Sequence, residues 1–281
     1  MIRQSFISIV GILNSQNDLL ALPAWLTAVY RTLQVNFSDF EIVLVNNQRD
    51  LTTIDNIIKP LPEELRKQIF LLNLSSAVNR DNAILAGLDR ANGDYTVLFE
   101  SDFAHNPDLI TRLWDICREG FDVVYLRARE RKLPATQKVL YHIFYYILKK
   151  YSRLQIDPWA HHSRIISRRA LNSLLRLREN SRYLKANYAL VGYKTGFIDV
   201  DVPLHPTPEA GFGEQFRTAL VAVTSFTTFL RSLLLWIFMF SVIVACTAVY
   251  NAVKVKLTST DIFGDHAESL SGWAFLVVII S

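Results

Sequence analysis

Short apolar runs alternate with helical patterns along roughly the first two hundred residues. Phe6–Leu13 reads as a buried strand, followed by a helix around Leu20–Leu33. Glu41–Val45 predicts a second strand, ending in Asn46-Asn47, and Ile69–Leu74 a third. Asn79–Ala91 has a helical pattern that stops at Asn92-Gly93. Tyr95–Phe99 predicts a fourth strand, ending in Glu100-Ser101-Asp102, and Phe121–Leu126 a fifth. Near-continuous apolar strands separated by helices argue for an α/β domain whose mostly parallel sheet is covered on both faces. In such sheets ligands collect at the C-terminal ends of the strands. Asn46-Asn47 and Glu100-Ser101-Asp102 are therefore the default site.

The pattern changes beyond that domain. From Ser232 to Val253 there is no charged residue. At about 1.5 Å per residue such a helix covers about 30 Å, the thickness of a bilayer's hydrocarbon core. Arg231 closes one end, and Lys254 and Lys256 the other, with Trp236 and Tyr250 near the two interfaces. A second apolar run, 272–281, is too short to span and reads as the start of a truncated second transmembrane helix. The expected plan is a domain over 1–212, a juxtamembrane amphipathic segment over 213–231 and a transmembrane helix over 232–253. The span also offers a surface through which copies of the chain could pair.

Two further stretches bear on the membrane. Gln137–Tyr151 is amphipathic, with aromatics and lysines at its edges. It suits lying in a bilayer surface, and it equally suits packing on the sheet. Glu214–Leu230 reads as a second interfacial helix leading into the span. No small-residue cleavage site follows Phe6–Leu13, so no signal peptide is expected. The domain is accordingly expected in the cytoplasm.

Composition narrows the chemistry. Of 281 residues 51% are hydrophobic, enough for one full α/β core with apolar sequence to spare. A formal charge of +4 suits a surface facing anionic lipid or a phosphorylated substrate. No dense basic stripe appears, so a nucleic-acid partner is not expected. The two cysteines, Cys117 and Cys246, lie far apart and imply neither a disulfide framework nor a zinc site. No G-x-G-x-x-G follows the first strand and no G-x-x-x-x-G-K-[ST] occurs, which argues against a dehydrogenase or a P-loop NTPase. What remains is an α/β nucleotide binder that handles a diphosphate by other means, most simply with a divalent cation held by carboxylates.

Four segments, in order, carry a resemblance. Ala83–Asp94 is similar to A-x-x-x-G-L-x-x-A-x-G-D, and Leu98–Asp108 to a segment built on D-x-D-L-Q-x-P-P-E. Arg164–Arg168 resembles F-R-L-x-S-R, and Ser225–Arg231 resembles the F-S-x-x-P-L-R that leads into a first transmembrane helix. The ordered set resembles family-2 glycosyltransferases, particularly the dolichol-phosphate mannose synthase and bactoprenol glucosyltransferase branch. That resemblance implies a Rossmann-like nucleotide-sugar domain of the A type. It also implies transfer of a sugar from a nucleotide diphosphate to a polyprenyl phosphate, with inversion and with Mg²⁺ or Mn²⁺, in the making of cell-envelope polysaccharide. The roles implied are Asp102 and Glu100 for the metal (Glu100 alternatively for ribose), Asn46 and Asn47 for the base, and Arg164 with Arg131 for phosphate. His162 is a further catalytic candidate.

The departures from the family pattern fall on the chemistry. Asn46-Asn47-Gln48-Arg49 stands where D-D-G-S is usual, Glu100-Ser101-Asp102 where D-x-D is usual, and Ala104 where a glutamine is usual. His161-His162-Ser163-Arg164-Ile165 replaces G-D-F-R-L, with His162 in the place of an aspartate. Adjacent histidines diverge along an extended chain, so His161-His162 is expected in a polar loop or at a phosphate rather than on one metal ion. The phosphate-gripping R-x-x-G-x-S-K-Y is present only as Pro208–Glu214, without its arginine. Two readings stand: an active but divergent transferase, in which Arg127 also faces phosphate, and an inactive relative that binds nucleotide sugar or acts as a scaffold.

Overall fold

In the computed structural model, which describes residues 3–48, 51–130, 135–152, 156–177, 184–204 and 212–258, seven strands form one sheet. The strands are β1 (Arg3–Leu13), β2 (Phe37–Asn46), β3 (Ile69–Asn73), β4 (Tyr95–Leu98), β5 (Val123–Ala128), β6 (Ala160–Ser167) and β7 (Thr195–Val200). Their order is β3-β2-β1-β4-β6-β5-β7. All pairings are parallel except those of β6, which runs antiparallel to both β4 and β5. The helices are α1 (Gln16–Asn36), α2 (Leu51–Ile58), α3 (Glu63–Gln68), α4 (Arg80–Arg90), α5 (Leu109–Arg118), α6 (Ala135–Tyr151), α7 (Arg168–Arg176), α8 (Leu184–Leu190), α9 (Phe212–Phe226) and α10 (Phe229–Thr258).

Alternation along each strand sorts the core into two layers. Ile7, Ile9, Ile42, Leu44 and Val97 face α1 and α5, packing against Leu22, Leu26, Val29, Ile110 and Leu113. Val10, Val43, Val45, Leu98 and Ile166 face the other way, onto Ala83, Ile84 and Leu88 of α4 and Leu171 and Leu174 of α7. Strands apolar on both faces are what a doubly covered sheet requires, and that is why the apolar runs were visible in the sequence.

The five expected strands are all present, though β1 and β2 begin earlier, at Arg3 and Phe37, and β5 begins later, at Val123. Two more, β6 and β7, were not anticipated. β6 carries His161 and His162, so the polar loop expected there is instead a buried strand. Its mixed sequence, Ala-His-His-Ser-Arg-Ile-Ile-Ser, hides the strand because the polar half packs against polar groups of the site. β7 alternates exposed and buried residues at the sheet's edge, a weaker signal than a continuous apolar run.

The chain divides into two compact units, Met1–Phe226 and the segment from Thr227 onward. α10 is one 30-residue helix, and its Phe229–Lys254 portion is long and apolar enough to cross a membrane, with 6% of that window buried. Residues 272–281 lie outside the described residues.

Gly87, the glycine of the A-x-x-x-G-L segment, marks where α4 touches the sheet. A Cβ there would lie 2.6 Å from Val10 Cγ1 and 2.7 Å from Val45 Cγ2. Overpacking of this kind costs about 1–3 kcal/mol, against the ~1 kcal/mol that alanine gains over glycine in a helix. Gly87→Ala is expected to lower the thermal unfolding midpoint of the detergent-purified chain. An unchanged or raised midpoint would show that α4 can lift from the sheet to admit a methyl group.

Candidate active site

The site is assembled by strand direction. β1, β2 and β4 are parallel, so Leu13, Asn46 and Leu98 end at one edge of the sheet. β6 runs the opposite way and pairs Arg164 with Leu98, which brings its first residues, His161, His162 and Ser163, beside Phe99, Glu100 and Ser101. A Ser15-Asp18 capping box starts α1 at the same edge. A small pocket there is lined by Asp18, Arg80, Glu100, Ser101 and His162 over an apolar floor that includes Ile12 and Leu98.

Glu100 holds this edge together. Its Oε1 takes a 2.7 Å ion pair from Arg80, the first residue of α4. Its Oε2 accepts from both the backbone N–H and the hydroxyl of Ser163, each at 3.1 Å, while the Glu100 N–H donates to Ser163 Oγ at 2.9 Å. Burial opposes ionisation here, but the Arg80 guanidinium, followed by the two histidines and the Ser163 amide, holds the carboxyl down at about 2. Asp18 is also engaged, accepting from the Asn14 and Ser15 amides and from the Ser101 hydroxyl.

Asp102 differs. It is exposed, on the 3-10 turn Ser101–Phe103, and makes no hydrogen bond or ion pair among the described residues. Loss of solvent around it, with the carboxylates of Glu100 and Asp18, raises its carboxyl above 3.8, against Arg80 and His161. Burial lowers both histidines from the ordinary imidazole value, against the pull of Glu100. Asp18, Glu100 and Asp102 gather around Arg80 at this edge, with Asp81 beside His162 and with Arg164 and Lys185 also within electrostatic reach. Asp102 is the carboxylate there with no partner among the described residues, which is the chemistry a hard divalent cation requires of an oxygen ligand. Glu100 by contrast already accepts three hydrogen bonds. Among the described residues no three His, Cys, Asp or Glu side chains form a complete metal site.

The asparagines are joined to their own scaffold. Asn47 donates to Asn14 Oδ1 and to the Val78 carbonyl, and its Oδ1 accepts from the Val78 N–H at 2.8 Å. Asn46 donates to Asn73 Oδ1 at 3.0 Å and accepts from the Gln48 N–H at 2.9 Å. Both are buried. An aspartate at 47 could accept but not donate, which supplies a physical reason for the departure from D-D-G-S. These bonds tie the ends of β1, β2 and β3 and the backbone at Val78 together.

The remaining candidates are placed as follows. His162 lines the pocket, with Nδ1 3.9 Å from Asp81 Oδ1. Arg164 is buried, donating to the carbonyls of His161 and His162 and lying 3.8 Å over the Tyr188 ring. Arg127 is paired with Asp199 at 2.6 Å. Arg131 lies outside the described residues. Arg168, at the end of the R-I-I-S-R segment, donates to the Ala91 and Gly93 carbonyls and so clamps the turn that closes the A-x-x-x-G-L-x-x-A-x-G-D segment. Sequence reasoning missed Arg80, Asp18 and Ser163. Ser15-x-x-Asp18 was legible as a capping box, whereas nothing in sequence pairs Arg80 with Glu100.

The pattern of the family described as glycosyl transferase family 2 matches residues 12–175. The chain belongs to that family. It is a glycosyltransferase on the A-type nucleotide-sugar fold. Among its family-2 relatives, an uncharacterized glycosyltransferase of Synechocystis is 26% identical over 275 residues, covering 97% of this chain and 83% of that protein. A prophage bactoprenol glucosyl transferase homolog of Escherichia coli K12 is 24% identical over 268 residues, covering 94% and 84%. The bactoprenol glucosyl transferase of Shigella phage SfV is 24% identical over 271 residues, with the same coverage of 94% and 84%. The crystal structure of Mycobacterium tuberculosis glucosyl-3-phosphoglycerate synthase with Mn²⁺, UDP and phosphoglyceric acid superposes with a TM-score of 0.53 at 13% identity, over 78% of this chain and 77% of that one. At that identity the likeness is one of fold.

Three outcomes follow from the geometry. Asn47→Asp should destabilise the chain by about 1–3 kcal/mol, because the Val78 carbonyl and Asn14 lose a donor and face a carboxylate. A thermal midpoint equal to wild type would show that the loop around Val78 does not depend on Asn47. Arg80→Met should cost about 1–3 kcal/mol by leaving the largely enclosed Glu100 carboxylate without its cation, and adding Glu100→Gln should restore much of it. The pH dependence has a definite sign. A carboxyl held at about 2 against an ordinary 4.5 contributes its full stability above pH 4.5 and loses it as pH falls toward 2. In acid unfolding that segment of the profile should flatten in the double variant, and an unaltered slope would remove Glu100 as its source.

Proposed function

We propose that this chain moves a sugar from a nucleotide-diphosphate donor to a polyprenyl phosphate at the cytoplasmic membrane face, with inversion at the anomeric carbon. The observation that carries the reading is the extent of the likeness to bactoprenol glucosyl transferases. It covers 94% of the chain, whereas the family pattern matches only 12–175. The apolar helix α10 supports a membrane setting.

The chemistry asks little of a base. A polyprenyl phosphate is ionised at neutral pH, so its oxygen attacks the anomeric carbon without prior deprotonation. The bond to the nucleotide's β-phosphate oxygen breaks on the opposite face, and the nucleoside diphosphate leaves with the bonding pair. The site has to position the two substrates and balance the charge of the leaving group. When bound, Mg²⁺ or Mn²⁺ would supply that balance, held by Asp102. Glu100 and Arg80 fix the turn that presents Asp102. Asn46 and Asn47 shape the base-binding wall from behind, His162 forms the pocket side opposite Asp18, and Arg164 stiffens β6.

The test is a transfer assay on the full chain in detergent, with UDP- and GDP-sugars and polyprenyl phosphate, reading the lipid product by mass. Asp102→Asn is expected to lower turnover about a hundredfold or more while leaving the thermal midpoint within ~1 kcal/mol of wild type. Donor binding without any lipid product, for every sugar offered, would count against the acceptor and favour a binding role.

A further inference from the structure

His162 stands in the wall of the pocket, and its two ring nitrogens have different surroundings. Nδ1 is enclosed and makes no hydrogen bond among the described residues. It faces Oδ1 of Asp81, in the first turn of α4, at 3.9 Å. The side chain nevertheless keeps 21% of its surface open, and it lines the pocket beside Asp18, Arg80, Glu100 and Ser101. Asp81 is itself held in place. Its Oδ2 accepts from the Leu184 N–H at 2.9 Å, which ties α4 to the start of α8.

The charges around this pair decide its protonation. Burial disfavours the imidazolium most, Glu100 favours it, and Lys185, Arg80 and Arg164 disfavour it, so the neutral ring prevails. At Asp81 burial favours the acid, while the Leu184 amide, Lys185, Arg80 and Arg164 all favour the carboxylate. A separation of 3.9 Å is too long for a hydrogen bond, so the carboxylate acts on the ring by charge alone. It attracts a proton on Nδ1 and repels a lone pair there. The Nδ1–H tautomer is therefore preferred, and Nε2 is left as an acceptor.

Other polar atoms of the pocket answer one another. Arg80 is paired with Glu100, and the Ser101 hydroxyl is given to Asp18. An ionised diphosphate has no hydrogen-bond donor, and a lone pair set against it repels it. A sugar does carry donors, as hydroxyl groups and in some cases an amide N–H.

We propose that His162, its tautomer set by Asp81, accepts a hydrogen bond from a hydroxyl or amide N–H of the donor's sugar. His162 is then a specificity-determining residue and Asp81 a positioning one. The inference rests on the transfer reading above, and it gives to sugar a position for which the sequence offered a polar loop or a phosphate.

The full chain in detergent, with its histidines labelled with nitrogen-15, would first be studied without ligand near neutral pH. Ring-nitrogen chemical shifts report which nitrogen carries the proton, and His162→Gln identifies the resonances. His162 is expected as the Nδ1–H tautomer. Asp81→Asn should move it to Nε2–H, because an amide whose oxygen stays on the Leu184 N–H turns its own N–H groups toward Nδ1. An Nε2–H tautomer or an imidazolium in the wild type would overturn the proposal. Calorimetry would then compare UDP and GDP with UDP-glucose, UDP-N-acetylglucosamine and GDP-mannose. His162→Leu should weaken the best-bound sugar nucleotide about tenfold and leave its parent nucleotide within about twofold, while His162→Gln, which keeps an acceptor, recovers part of the loss. Equal loss for both ligands, or none for the sugar nucleotide, would sink the sugar contact while leaving the transfer reading standing. A wild-type chain that binds none of these ligands would overturn both, and an intact Nδ1–H signal in that sample would trace the failure to the donor rather than to the fold.

Discussion

The reversal of one strand organises the edge at which this glycosyltransferase is expected to work. β1, β2 and β4 deliver their ends in parallel, and a further parallel strand beside β4 would have delivered only its own end. Because β6 runs backward, its beginning lies there instead, and Ser163 can grip Glu100 by backbone and side chain together. Arg80 completes the grip from α4. A buried carboxylate is tolerable only when its charge and its lone pairs are both answered, and here each oxygen has its own partner. The turn carrying Asp102 leaves directly from this joint, so the most open carboxylate at the edge is held by the most enclosed one.

That arrangement gives physical content to the departures from the family pattern. Glutamate in place of the first aspartate of D-x-D has the longer stem that meets Arg80 and Ser163. Asparagine in place of aspartate at 47 supplies donors to a carbonyl and to Asn14. In each case the altered residue satisfies a neighbour within the fold, while Asp102 keeps the family's residue and has no such partner among the described residues.

Legibility in the sequence followed burial. The four inner parallel strands are apolar on both faces and could be read directly, as could α4, where a cap at Asn79 and the Asn92-Gly93 break bracket the helix. Ala160–Ser167 could not, since half of its side chains answer polar groups that lie far off in sequence. The same is true of the site: the strand ends pointed to Glu100 and Asp102, but the bonds that set them apart come from Arg80 and Ser163, at separations of 20 and 63 residues. Pattern reports which residues avoid water. It does not report which polar groups find one another.

The 30-residue length of α10 has a mechanical consequence. The stretch without charge, Ser232–Val253, measures about 33 Å at 1.5 Å per residue, close to the ~30 Å of a hydrocarbon core. Arg231 stands at one limit and Lys254 at the other. In a bilayer, a slide of one turn in either direction, about 5.4 Å, would draw one of these cations toward hydrocarbon, and long side chains can offset only part of that by reaching back to the surface. The two charges act as end stops. In a bilayer they would fix the depth of a helix that is apolar all round and has no polar face with which to choose a level for itself.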